Sequence, residues 1–72
     1  MKRLNVYIAK LKYFILKRRI YYIIKEHPKG ITIFKVAESC PHNTNLKDIS
    51  DCINELFQEG RIKHDDYILF LN

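Results

Sequence analysis

ISDCINELFQEGRI, residues 49–62, decides how this chain folds. With Leu46 one turn earlier, the apolar residues Ile49, Ile53, Leu56 and Phe57 follow helical spacing, which predicts a helix with one buried face. Gly60 comes next, and glycine most readily takes the left-handed conformation that closes a helix. Arg61-Ile62-Lys63 then begins a strand. His64-Asp65-Asp66 reads as a turn and Tyr67–Leu71 as a returning strand. The last third of the chain is therefore expected to be a helix followed by a hairpin of two short strands.

Working outward, Thr44 or Asn45 is placed to cap that helix, with Asp48 near its positive N-terminal end. Cys40-Pro41-His42-Asn43-Thr44 reads as a connecting loop. Before it, Thr32 is a candidate N-cap for a short helix reaching about Ser39. His27-Pro28-Lys29-Gly30 ends a long first helix, because proline bars continuation and glycine permits the turn. No Gly or Pro interrupts residues 3–27, which read as one helix. Residues 1–12 also admit a strand, since Leu4, Val6 and Ile8 alternate with Asn5 and Tyr7.

Seventy-two residues make one domain, divided into an N-terminal extension (1–15) and a core (16–71). A hydrophobic share of 47% in so short a chain implies a globular protein with either an unusually rich core or apolar surface meant for a partner. The charge is unevenly placed: residues 1–25 hold eight bases and no acid, whereas residues 26–72 hold five bases and eight acids. That asymmetry points to an anionic partner for the N-terminal part. The apolar runs there are broken by charge too often for a signal core or a membrane span, so the expected location is the cytoplasm. In that setting Cys40 and Cys52 are expected to be buried thiols, with a disulfide between them as the alternative.

Long helix, short helix, helix, hairpin: in this order the chain resembles the winged helix-turn-helix family, over residues 16–71. IIKEHPKGITIFKVAE (23–38) is similar to the end of the family's first helix and to its second, with Ile31, Val36 and Ala37 at core positions. ISDCINELFQEGRI is similar to the third helix, its closing glycine and the first strand of the wing. The resemblance implies a mainly α fold with a C-terminal β-hairpin, and DNA binding with the third helix in the major groove. It further suggests a small transcriptional regulator of phage, plasmid or archaeal-virus type, acting in the host cytoplasm.

On that reading Arg3, Lys10 and Lys17, seven apart on one line of the first helix with Arg18 and Lys25 beside it, contact phosphates together with Arg18 and Arg19. Lys47, Ser50 and Asn54 of the third helix are the candidate base readers, with Lys63 on the first strand of the hairpin. The third helix departs from the family pattern, because its outward positions include Asp48, Asp51, Glu55 and Glu59 against the single base Lys47. The carboxylates of Asp65 and Asp66 make the hairpin tip a poor minor-groove probe. These acids support an alternative, a winged-helix module that binds protein.

The first helix carries two apolar stripes. One (Val6, Ala9, Tyr13, Leu16, Ile20, Ile23, Ile24) suits a core, its C-terminal half most directly. The other (Leu4, Ile8, Leu11, Ile15, Tyr22), with Arg18 at the gap, is a heptad seam that predicts a homodimer. Phe34 is expected to join the core. Cys40, His42, Cys52 and His64 lack the close ligand pairs of structural zinc, so neither metal nor cofactor is expected. No phosphate-cradling glycine loop and no nucleophile–base pair with an oxyanion glycine occurs, so the chain reads as a non-enzyme without a small-molecule substrate. Apolar residues circle most of the first helix, which fits protein contacts on two sides better than a membrane surface on one.

Overall fold

A computed structural model describes the backbone of residues 2–72 and the side chains of residues 8–72. The order of elements is α1 (Lys2–Lys25), β1 (Ile31–Thr32), α2 (Ile33–Ser39), α3 (Leu46–Gln58), β2 (Ile62–Asp65) and β3 (Ile68–Leu71). The three strands form one antiparallel sheet in the order β1-β3-β2. The N-terminal segment is helical, not a strand. In place of a two-stranded hairpin there is a three-stranded sheet, because Ile31 and Thr32 pair with Leu69 and Ile68. A two-residue strand leaves no alternating pattern to read, since its existence depends on a partner nearly forty residues away.

The helix ends obey local chemistry. Past Lys25 the chain turns at Pro28, and Gly30, with φ +103°, donates its N–H to the His27 carbonyl at 2.8 Å. Thr32 caps α2, its hydroxyl accepting from the Lys35 N–H at 3.2 Å. Asn45 caps α3 by accepting from the Lys47 N–H at 2.9 Å, and Asp48 sits in the first turn. α3 closes in a Schellman motif: Gly60 (φ +74°) donates to the Phe57 carbonyl and Arg61 to the Leu56 carbonyl, each at 3.0 Å. The hairpin turns at Asp66 and Tyr67, with Asp66 at φ +54°, so His64 and Asp65 belong to β2 and not to the turn. Asn72 ties the end of the chain back, its side chain donating to the Gly60 carbonyl at 2.6 Å.

One core joins all the elements. Ile20 and Ile24 of α1 meet Val36 and Cys40 at α2, Ile49, Cys52 and Leu56 of α3, and Ile31, Ile62 and Leu69 of the sheet. No buried polar residue interrupts it among the described residues. Each fully buried Ile or Leu contributes about 1.5–3 kcal/mol relative to exposure.

Three apolar side chains lie elsewhere than expected. Phe34 is 70% exposed. It stands two residues before Val36, about 200° away around α2, so burying Val36 turns Phe34 outward. Leu46, at the first residue of α3, is exposed, and Phe57 is half-exposed on a flank of that helix.

Candidate functional site

The surface of α3 is divided by its neighbours. On the flank facing α1, the Tyr13 hydroxyl donates to Glu55 Oε2 at 2.7 Å. Lys17 Nζ lies 2.6 Å from Glu59 Oε2 and 3.6 Å from Glu55 Oε2. Asp48 borders the groove between α1 and the segment leading into α3. Three of the four carboxylates expected to face outward therefore turn toward α1, at positions 48, 55 and 59 on one side of the helix.

The electrostatics follow the geometry. The hydrogen bond from Lys17 holds the Glu59 carboxyl below its ordinary range, and Glu59 in turn raises the Lys17 ammonium. Burial, with the hydrogen bond to Glu55 second, pushes the Tyr13 phenol well above its usual value. Arg61 extends the cluster, 3.8 Å from Glu59 and stacked 4.1 Å from the Tyr21 ring centroid. Lys17, expected to be a free phosphate contact, is instead an internal ion-pair partner, its side chain 18% exposed.

Opposite the core, Lys47, Asp51, Asn54 and Gln58 lie at i, i+4, i+7 and i+11 along one line, with Ser50 beside Lys47 and Asn54. All five are exposed. The line holds one base, one acid and three neutral hydrogen-bonding side chains. On its far side Phe57 meets the His64 ring, centroids 4.9 Å apart, so β2 runs along that flank. His64 shares the sheet face of buried Ile62, whereas Lys63 points to the opposite face. The base expected from the hairpin thus points away from the α3 line, and a histidine lies beside it.

The remaining bases of α1 form a separate group. Lys10 and Arg19 border the groove of about 810 Å³ that also touches Tyr13, Pro41 and Asp48. Arg18 lies 5.7 Å from the centroid of the Tyr22 ring and holds its phenol below the usual range. Between these bases and the outer line of α3 stands the carboxylate flank. Arg3 lies outside the described side chains, as does Leu4 of the seam. Of the other seam residues, Ile8, Leu11, Ile15 and Tyr22 are all exposed, 46–59%, on the side of α1 away from the core.

Two residues near this line are not assigned as contacts from sequence. Gln58 reads as an outward position of the third helix but is lost among the acids, and His64 looks like part of the turn. The i, i+4, i+7, i+11 spacing from Lys47 is a signal for the first. Cys40 and Cys52 are free and buried, and burial pushes the Cys52 thiol up to about 11. No cluster of three potential metal ligands occurs among the described residues, and no described helix is long and apolar enough to cross a membrane. Comparison with protein-family models, curated proteins and solved structures finds no match to this chain.

Proposed function

We propose that this chain is a winged-helix DNA-binding domain, a small transcriptional regulator that lays the outer line of α3 against duplex DNA. The observation that carries the reading is the turning of Asp48, Glu55 and Glu59 toward α1. It leaves Lys47, Ser50, Asn54 and Gln58 outermost with Asp51 as the one acid among them. Asn and Gln side chains offer the paired donor and acceptor that match an adenine edge, while Lys47 and Ser50 suit a phosphate or a base edge. The long helix, short helix, helix and hairpin follow in the order that the resemblance to winged helices implies, with the β2–β3 hairpin as a short wing. In this reading α1 serves the protein's own packing through Lys17, and Lys10, Arg18 and Arg19 add a non-specific positive field.

A second reading, a winged-helix module that binds protein, is favoured by one observation. Phe34 and Tyr67 are both about two-thirds exposed and pair at 6.5 Å between ring centroids. The acidic third helix supports that reading less, because Glu55 and Glu59 are engaged by Tyr13 and Lys17 of α1.

Fluorescence anisotropy with a labelled random duplex tests the proposal. Binding in the micromolar range that weakens steeply with salt is expected. Lys47→Glu should flatten the log–log salt slope by about 0.9 for each phosphate that Lys47 neutralises in the wild type. Lys17→Gln should leave that slope unchanged. No binding at low salt overturns the DNA reading.

A further inference from the structure

The face of α1 that the fold leaves bare has a chemistry of its own. Ile8, Leu11, Ile15 and Tyr22 follow one another at spacings of three, four and seven, on the side opposite buried Ile20 and Ile24. In heptad terms Ile8, Ile15 and Tyr22 are a positions and Leu11 is d, with Arg18 at the next d. The two edges of this seam differ. Lys12 and Arg19 occupy the e edge, and Phe14 and Tyr21 the g edge.

We infer that this face pairs with the same face of a second copy, the two α1 helices lying parallel and in register. Three considerations select that occupant and that direction. The seam is self-complementary: a two-fold contact sets Ile8, Leu11 and Ile15 against their own counterparts, covering side chains that are half-exposed in the single chain. The seam has length: from Ile8 to Tyr22 it runs about 21 Å along α1 at about 1.5 Å per residue, its continuous apolar part lying before Arg18.

The charges then fix the direction. In a parallel pair each g residue meets the e residue five positions later on the partner, which sets Phe14 against Arg19 of the second copy. The fold already uses this kind of contact, with Arg61 over Tyr21 at 4.1 Å and Arg18 over Tyr22 at 5.7 Å. An antiparallel pair would bring e against e, Lys12 against Arg19, with no acid anywhere on the helix to offset the repulsion. Arg18 at a d position marks where the seam opens, because a guanidinium is costly to bury in an apolar layer. From there the two folded bodies diverge at the same end of the pair. Phe14, 61% exposed, is the rim aromatic that the pairing covers.

Light scattering on the full chain, with cysteine pairing on variants, tests the inference. Wild type at micromolar concentration should scatter as twice the 8.7 kDa chain mass. Leu11→Asp, a change at an exposed site, should return the single mass with unaltered circular dichroism. The native thiols are buried, so Leu11→Cys introduces a thiol at a site that is exposed in the single chain. It should close a disulfide with its own counterpart at least about tenfold faster than Asp51→Cys, because pairing raises the local thiol concentration. In an equimolar mixture of Leu11→Cys and Ile15→Cys, each should link to itself in preference to the other. A dominant mixed product overturns the parallel arrangement. A single-chain mass for wild type, or single chains that sediment with phosphatidylglycerol vesicles through α1, overturns the pairing altogether. Neither outcome depends on whether α3 binds DNA.

Discussion

Individual side chains in this fold answer to burial first. Ile20 is fully buried where α1 meets the core, so Ile20→Val should cost about 1 kcal/mol and lower the melting temperature by about 4–8 °C. Cys52 gives a pH dependence with a definite sign. Its thiol rises from 9.0 unfolded to about 11 folded. The stability its neutral form contributes is thus present below pH 9 and disappears as the pH climbs through about 11. Cys52→Ala should begin less stable, because a buried side chain is truncated, yet decline less between about pH 8 and 10.5 than wild type does. Chemical denaturation at the two pH values reads that difference directly. Cys52 is legible in the sequence because it falls among the inward apolar positions of α3, whereas Cys40 follows the last residue of α2. Phe34 is not legible, since a large aromatic suggests a core and only the orientation of Val36 shows that residue 34 must face out. Lys17 is hidden for a related reason: its line along α1 is visible, but its partners are forty residues away.

Elements rather than residues carry the contrast between the two glycines and the composition of the candidate interface. Gly60 has open space where a Cβ would go, so Gly60→Ala should cost only the left-handed strain, about 1–2 kcal/mol. Gly30 at φ +103° carries the same kind of strain, and a Cβ there would also meet the Ile68 side chain and come within 2.8 Å of the Phe70 ring. Gly30→Ala should therefore lower the melting temperature clearly more than Gly60→Ala, and equal decreases would contradict the packing described for the β3 face. On α3, Asn54→Ala should weaken duplex binding while leaving the melting temperature nearly unchanged, because Asn54 touches nothing in the core. Glu55→Gln should do the reverse, loosening the contact with Tyr13 and Lys17 without weakening DNA binding. Helix ends are well read from sequence, because Thr32, Asn45 and Gly60 act on backbone groups within a turn of themselves. The division of the α3 surface is hidden, because a single-helix wheel shows which residues face away from the core but not which neighbouring helix covers a flank.

At the scale of the whole molecule, α1 accounts for the elongated shape of 44 × 25 × 18 Å and carries the bare seam along it. The core half of α1 and the seam half are both visible as stripes in the sequence, since two apolar periodicities on one helix need two partners. The third strand is not, because strand pairing across the chain is set by packing and leaves no trace in two residues. Two surfaces of different chemistry result: the outer α3 line proposed to meet duplex DNA and the α1 face proposed to pair with a second copy. The carboxylate flank stands between them. Amide chemical-shift mapping of the uniformly labelled protein, titrated with a random duplex at low salt, distinguishes their roles. The largest shifts are expected at Lys47, Ser50, Asp51, Asn54 and Gln58 and along β2, with Ile8–Arg19 of α1 little changed. Shifts concentrated on α1 with the outer line of α3 unmoved would contradict the assignment of the DNA-binding face.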